Sequence, residues 1–181
     1  VDFTRSSDNF SEGLLRINTL NQALKKEFGE KVVKLSIDAG FTCPNRDGSK
    51  GFGGCTFCSS SGSGDNASNI DEQITLLSEK WPNAKYIAYF QNYSGTYAPV
   101  SKLRELYYGA LDDPRILGLA IATRSDCIDD DCLALLDEIN KKHFLWVELG
   151  LQTIHEDSAK KLNLCNSLHD YDDTISKLNA H

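Results

Sequence analysis

Residues 31–58 read KVVKLSIDAGFTCPNRDGSKGFGGCTFC, and this stretch joins a strand pattern to a loop rich in glycine and cysteine. In its first eight residues apolar and polar side chains alternate, as they do along a β-strand with one buried face. Cys43, Cys55 and Cys58 follow in the loop. The chain therefore carries three thiols just beyond the carboxyl end of a predicted strand.

The spacing of these cysteines favours a metal centre. Cys55 and Cys58 form a CxxC pair that can bind one centre together, and Cys43, separated from that pair by eleven residues, can complete the site. Iron–sulfur clusters are held by Cys thiolates, usually four. With three, one iron of a [4Fe–4S] cluster lacks a protein ligand and is free to bind a small molecule.

Zinc is the main alternative to a cluster. Structural zinc takes four Cys or His ligands, and no second CxxC or nearby HxxxH supplies the fourth. The candidates for that ligand are Cys127, Cys132, Cys165, His143 and His155. A disulfide framework is disfavoured, since six cysteines in 181 residues is far from a disulfide-dense composition. Spacing alone leaves cluster and zinc both open.

The composition predicts a soluble globular protein. Hydrophobic residues make up 40% of the chain and charged residues 25%, and no apolar stretch approaches the length of a membrane span. The net charge of -7 argues against a broadly basic nucleic-acid surface within these residues. We expect a cytoplasmic protein with no membrane partner.

The ends of the chain suggest a fragment. Because the chain starts at Val1, contains no Met and ends just after a helix-like stretch, we interpret it as a piece of a longer protein.

Apolar periodicity predicts an N-terminal helix followed by four βα units. The helix is expected from Ser11 to Gly29, with Leu14, Ile17, Leu20, Leu24 and Phe28 on one face. Strands are predicted at 31–38, 85–91, 116–123 and 145–151, and helices at 69–81, 100–111, 130–142 and within 156–180. This alternation predicts an α/β fold with a parallel sheet. We assign residues 1–30 to an N-terminal extension and helix, and 31–181 to one domain.

Three of the predicted strands have an aliphatic face and a face that is small or polar. In strand 116–123 the aliphatic parity is Leu117, Leu119 and Ile121. Strands of doubly wound sheets are usually apolar on both faces, so the pattern favours a barrel or half-barrel around a polar site. The alternative is a sheet with one poorly covered face.

Parallel α/β folds bind ligands at the carboxyl ends of their strands. The cysteine loop is therefore expected to share one rim with six polar side chains, namely Gln91, Asn92, Arg124, Asp126, Glu148 and Gln152. Asp126 is the member that we expect to act as a loop-capping group.

Five stretches carry a resemblance to a known family: RINTLNQALKKEFGEKVVKLSIDAGFTCPNRDG, GGCTFCSSSGSGD, YFQNYSGTYAPV, ATRSDC and ELGLQT. They resemble the radical S-adenosylmethionine (radical SAM) superfamily, and within it a family of small bacterial proteins related to the Elongator catalytic subunit. The commonest cysteine motif of the superfamily is CxxxCxxC, and the longer first gap found here looks like that of Elongator. The resemblance covers nearly the whole chain.

The resemblance implies a partial (β/α) barrel of the radical SAM type, with four βα units present of an expected six. It implies a [4Fe–4S] cluster on Cys43, Cys55 and Cys58, with S-adenosyl-L-methionine bound to the open iron. One electron, from a donor such as flavodoxin or ferredoxin, would cleave this cofactor to methionine and a 5′-deoxyadenosyl radical. The implied contacts with it are Gln91 and Asn92 near the methionine amino group, Thr123 and Arg124 near the ribose, Glu148 and Gln152 near ribose or carboxylate, and Phe57 near the adenine.

Two departures from the family qualify these expectations. Leu164 stands where related sequences carry an Arg that can pair with the methionine carboxylate. The last two βα units are absent, so the isolated chain is expected to be unstable or inactive unless another chain completes it. Kinship to Elongator suggests tRNA wobble-uridine modification. The alternatives are a zinc- or cluster-stabilised interaction module without catalysis, and an electron-transfer protein.

Overall fold

The computed structural model describes residues 17–180 and contains one four-stranded parallel sheet in the order β1-β2-β3-β4. The strands are β1 Val32–Ile37, β2 Lys85–Phe90, β3 Ile116–Thr123 and β4 Phe144–Leu149. The helices are α1 Leu20–Phe28, α2 Ile70–Ser78, α3 Val100–Leu111, α4 Asp130–Asn140, α5 Glu156–Lys161 and α6 Leu168–Asn179. The predicted α/β class and the alternation of strands with helices are confirmed.

The start of α1 differs from the prediction. The hydroxyl of Thr19 accepts a hydrogen bond from the Gln22 amide, and the Gln22 side chain accepts one from the Thr19 amide, which is a capping box. These bonds begin the helix at Leu20, and Ile17, assigned to its apolar face, is 68% exposed. Residues 11–16 of the predicted helix lie outside the described part of the chain. The predicted end at Gly29 is confirmed, with a left-handed φ of 75°.

The other predicted boundaries agree with the structure to within three residues. The main hydrophobic core lies between one face of the sheet and helices α2, α3 and α4. Leu35, Phe90, Leu119 and Ile121 are its central strand residues, each at most 1% exposed. The aliphatic strand face predicted from the alternation therefore packs against the helices.

A second apolar cluster on the opposite face of the sheet consists of Leu24, Val32, Ile87 and Ala120. Helix α1 packs there, and its Phe28 ring meets the Phe144 ring edge to face at 5.1 Å. This helix covers the part of the face toward the amino ends of the strands. The part toward the carboxyl ends stays polar.

The assignment of Leu117 to the aliphatic face was wrong. The pairing of β2 with β3 is irregular, because Tyr86 pairs with Ile116 while the next residue, Ile87, pairs with Gly118. Ile116 is therefore buried in the main core, and Leu117 packs on the second cluster beside α1. A β-bulge reverses the side-chain parity of the residues before it.

Among residues 17–180, no helix is both long enough and apolar enough to cross a membrane.

Candidate functional site

A cavity of about 330 Å³ lies at the carboxyl ends of the strands, between the cysteine loop and the segments after β3 and β4. All the predicted site residues except Asn92 and Asp126 line it: Cys43, Cys55, Phe57, Cys58, Gln91, Thr123, Arg124, Glu148 and Gln152. The structure thus brings together residues that are up to 109 positions apart in the chain.

The cysteine loop is anchored by Asn45, which is fully buried. Its Nδ2 donates to the Asn163 carbonyl at 2.6 Å and to Cys55 Sγ at 3.5 Å, and its Oδ1 accepts from the Cys165 thiol at 2.8 Å. The Asn163 side chain in turn donates to the Gly54 carbonyl at 2.8 Å. The segment after α5 therefore fixes the position of a loop more than a hundred residues earlier.

The residues after Cys58 accept hydrogen bonds from the side chains of Arg46, Gln91 and Tyr93, whose hydroxyl donates to the Ser60 carbonyl. Arg46 Nη2 donates to the Ser59 carbonyl at 2.6 Å, and its guanidinium lies over the Tyr93 ring at 5.4 Å. Gln91 Nε2 donates to the Ser63 carbonyl at 2.9 Å. The loop is therefore held by the segment after α5 before the CxxC pair and by Gln91, at the end of β2, after it.

Each of the three thiol sulfurs has a polar hydrogen-bond donor nearby. The pairs are Arg124 Nη1 with Cys43 Sγ at 3.9 Å, Asn45 Nδ2 with Cys55 Sγ at 3.5 Å, and Ser63 Oγ with Cys58 Sγ at 4.0 Å. Burial raises the pKa of the Cys55 thiol, while the hydrogen bond from Asn45 and the charge of Arg124 act in the opposite direction. These donors are suited to sulfur atoms that carry negative charge.

A single metal ion and an iron–sulfur cluster require different arrangements of these donors. Within residues 17–180, no group of three or more His, Cys, Asp or Glu side chains is arranged to hold a metal ion. Cys127 and Cys132, two candidates for a fourth zinc ligand, are buried, and burial raises the pKa of each thiol to about 12. A four-iron cluster offers a separate iron to each thiolate, so its ligands surround a cavity rather than meet at one ion. Cys43, Cys55 and Cys58 line one cavity and each has its own hydrogen-bond donor, so each can bind a separate iron of a cluster.

Asp126 forms ion pairs instead of capping a loop amide, which corrects the prediction for this residue. Its side chain is 2% exposed and accepts two bonds of 2.8 Å from Arg124 and one of 2.7 Å from Lys50. Burial acts to raise the pKa of the Asp126 carboxyl, but these hydrogen bonds outweigh it, so the pKa lies below its usual value. Asp126 joins the cysteine loop, through Lys50, to the end of β3.

Glu148 is held on the polar face of the sheet by two donors. Lys34 Nζ lies 2.7 Å from its Oε1, and the Tyr89 hydroxyl donates to its Oε2 at 2.6 Å. The Lys34 ammonium also lies over the rings of Tyr89 and Trp146, at 3.6 and 5.0 Å. Burial and the bond to Glu148 raise the pKa of Tyr89, which keeps its hydroxyl protonated and donating. The carboxylate therefore has a fixed orientation at the cavity wall.

Two predicted contact residues have their side chains already bonded. Gln91 lines the cavity, but its Oε1 accepts from the Ser36 hydroxyl at 2.9 Å while its Nε2 binds the cysteine loop. The hydroxyl of Thr123 lies 2.6 Å from that of Thr96, away from solvent. These side chains support the rim of the cavity.

Asn92 lies behind the cavity instead of lining it. It is 3% exposed, and its Oδ1 has no hydrogen-bond partner among the described residues. The side chain packs on Gly64, where a Cβ would lie 1.7 Å from that oxygen. The structure therefore does not bring Asn92 to the predicted ligand surface.

Sequence reasoning missed several residues that line the cavity. They are Arg46, Gly54, Gly62, Ser63, Tyr93, Ala122, Leu149, Gly150 and Asn166. Leu164, where an Arg was expected, lines the cavity as well. Only Gly62 could have been identified from the sequence, because it lies in a Gly- and Ser-rich run. Its backbone has a left-handed φ of 63°, and a Cβ at this position would lie 2.4 Å from the Tyr93 ring.

Comparison with known proteins finds relatives but no family model that matches the chain, and no solved structure gives a significant match. The chain is 47% identical over 174 residues to the uncharacterized protein YtqA of Bacillus subtilis, covering 92% of this chain and 54% of that protein. It is 42% identical over 160 residues to protein YhcC of Escherichia coli, covering 86% and 51%. It is 31% identical over 165 residues to the uncharacterized protein MJ0486 of Methanocaldococcus jannaschii, covering 86% and 49%. The chain spans about half the length of these relatives.

Proposed function

We propose that this chain is the cluster-binding part of a radical S-adenosylmethionine enzyme, and that its sheet is part of a (β/α) barrel of the radical SAM type. Cys43, Cys55 and Cys58 would hold a [4Fe–4S] cluster, and the cavity beside them would hold S-adenosyl-L-methionine. The observation that carries the proposal is that three thiols, each with its own hydrogen-bond donor, line one cavity at the carboxyl ends of parallel strands. Ligands of parallel α/β folds bind at that end.

The bound cluster would supply the electron that cleaves the sulfonium of S-adenosylmethionine, while the protein supplies orientation. Glu148, oriented by Lys34 and Tyr89, is placed to accept hydrogen bonds from ligand hydroxyl groups. Phe57 is 51% exposed at the cavity and offers an apolar surface for a heteroaromatic ring. A volume of about 330 Å³ lies at the lower end of the range of small-molecule sites.

The same proposal includes an electron donor such as flavodoxin or ferredoxin and a cytoplasmic location. A tRNA substrate, which kinship to Elongator suggests, stays a prediction.

The proposal is tested by anaerobic reconstitution with iron and sulfide, followed by EPR of the reduced protein with and without S-adenosylmethionine. We expect a [4Fe–4S]⁺ signal that shifts when the cofactor is added. A cluster signal without a shift would favour electron transfer. Tight, stoichiometric zinc in place of iron would overturn the proposal in favour of a structural module.

Cysteine variants provide the matched controls for this experiment. Changing Cys43, Cys55 or Cys58 to Ser should abolish the cluster signal and reduce bound iron to background. Cys165→Ser should retain the cluster, because Cys165 is not a proposed ligand and a serine hydroxyl can still donate to Asn45. Equal iron loss in all four variants would mean that the cysteines support the loop rather than bind iron.

A further inference from the structure

We propose that Arg124 is a positioning residue for the cluster, which raises the reduction potential by placing a fixed positive charge against the Cys43 sulfur. This inference rests on the proposed function. It assigns Arg124 to the cluster side of the cavity, whereas the sequence resemblance implied a contact with the ribose.

The geometry of the guanidinium gives its nitrogens separate partners. Nε and Nη2 of Arg124 donate to the two oxygens of Asp126, each at 2.8 Å. Nη1, the nitrogen left over from this bidentate pair, lies 3.9 Å from Cys43 Sγ. The carboxylate therefore holds the guanidinium by one edge and turns the opposite corner toward the sulfur.

Asp126 does not cancel the positive charge beside Cys43. The carboxylate also accepts from Lys50 at 2.7 Å, so two cations share one anion and the group is net positive. The side chains of Arg124 and Asp126 are 11% and 2% exposed, which limits screening by water and salt. An Arg side chain stays protonated at any pH that the protein tolerates, so this charge is permanent.

A permanent positive charge stabilises the reduced state of a neighbouring cluster more than the oxidised state. Reduction adds one electron to the cluster and its thiolates, and the attraction to the cation grows with that negative charge. Hydrogen bonds and charges near the sulfurs are known determinants of cluster potential. Loss of the Arg124 charge should therefore make the cluster harder to reduce.

The experiment is an EPR-monitored redox titration of the reconstituted chain without S-adenosylmethionine. In Arg124→Gln we expect the one-electron reduction equilibrium to fall about tenfold, a shift of about 59 mV to more negative potential. Arg124→Lys, which keeps a charge but loses the bidentate fork, should fall between that variant and the wild type. If circular dichroism shows that Arg124→Gln does not keep the wild-type fold, Arg124→Met replaces it in this comparison.

Lys141→Gln is the control, because it also removes one positive charge, but Lys141 lies exposed at the end of α4 and pairs with Asp137. It should change the potential much less than Arg124→Gln. Equal shifts in the two variants would indicate a general charge effect and overturn the inference, as would an unchanged potential in Arg124→Gln. A wild-type chain that assembles no cluster would overturn both this inference and the proposed function, whereas an intact cluster with an unmoved potential would overturn the inference alone.

Discussion

The candidate site contains two buried asparagines whose polar atoms are used very differently. Asn45 bonds through both side-chain atoms and links the cysteine loop to the segment after α5. Asn92 is also buried, but its Oδ1 has no hydrogen-bond partner among residues 17–180. A buried polar atom without a partner costs about 1–3 kcal/mol, so packing around Asn92 has to offset that cost.

The packing partner of Asn92 gives a residue-scale prediction. Gly64→Ala would place a methyl carbon 1.7 Å from Asn92 Oδ1, so the side chain or the loop must move. We expect a loss of about 1–3 kcal/mol, measured by thermal unfolding followed by circular dichroism. Gly109→Ala in α3 is the control, since nothing lies within 4 Å of its added Cβ and Ala favours a helix by about 0.5–1 kcal/mol. Similar effects of the two substitutions would contradict the structure.

The positions of site residues were predictable where they depend on local chain geometry. Cys43, Cys55 and Cys58 line one cavity because a strand end and a CxxC turn lie close together in the sequence. Asn45 and Asn92 were not predictable in this way. The role of Asn45 depends on Asn163, 118 residues later, and the orientation of Asn92 depends on Gly64 in another loop.

At the scale of elements, β1 shows how one edge of the sheet is protected. Ser68 forms a short parallel bridge with Ile37, and the buried Gln73 of α2 accepts from the Ser36 amide at 3.2 Å. Gln73 also donates to the Asn66 carbonyl at 2.8 Å. A helix side chain therefore takes the place of a neighbouring strand at this edge.

Replacing Gln73 tests this edge contact. Gln73→Met has a similar volume but leaves the Ser36 amide without its acceptor, so we expect a loss of about 1–3 kcal/mol in the free energy of unfolding. Urea denaturation measures the loss. Glu79→Met, an exposed position just after α2, is the control and should change stability by less than about 0.5 kcal/mol. If Gln73→Met leaves the free energy of unfolding unchanged, water takes the place of the Gln73 side chain as acceptor for the Ser36 amide.

Helices α3 and α4 are joined by Glu138, which makes a pH-dependent contribution to stability. Hydrogen bonds from Arg104, at 2.8 and 2.7 Å, and from Tyr108 lower the pKa of Glu138 to about 2. Its unfolded pKa is about 4.3, so the contribution is complete above that pH and is lost as the pH falls toward 2. The melting temperature of the wild type should therefore fall more between pH 6 and pH 3 than that of Glu138→Gln. If the melting temperatures of the wild type and Glu138→Gln fall equally between pH 6 and pH 3, Glu138 makes no pH-dependent contribution to stability.

The bounds of helices and strands were predicted correctly where the local sequence pattern is strong. The bounds of α3 and β3 were predicted correctly, because helical periodicity runs through α3 and β3 is a continuous run of apolar and small residues that ends at Thr123. The start of α1 was wrong because a capping box at Thr19 outweighs the apolar positions before it. The face of Leu117 was wrong because a bulge depends on the partner strand, which the sequence of β3 alone does not specify.

For the whole molecule, the two edges of the sheet are unequal within residues 17–180. The β1 edge is covered by Ser68 and Gln73, whereas all six residues of β4 are only partly buried and β4 pairs with no strand on its outer side. The polar face next to that edge carries the Lys34–Glu148 pair and Trp146. An open edge next to a partly buried aromatic is a template for pairing with another strand.

We therefore expect the 181-residue chain to associate through β4. Light scattering after gel filtration should give a mass that rises with concentration above the 20.1 kDa of one chain. Hydrogen exchange at low and high concentration should locate the contact, with amide protection increasing in β4 and staying constant in β2, because β2 is already paired on both sides. The covered edge strand β1 is an internal control and should also stay constant. A concentration-independent monomer that unfolds cooperatively and reversibly would contradict the prediction, and would mean that four strands and their helices form a stable unit by themselves.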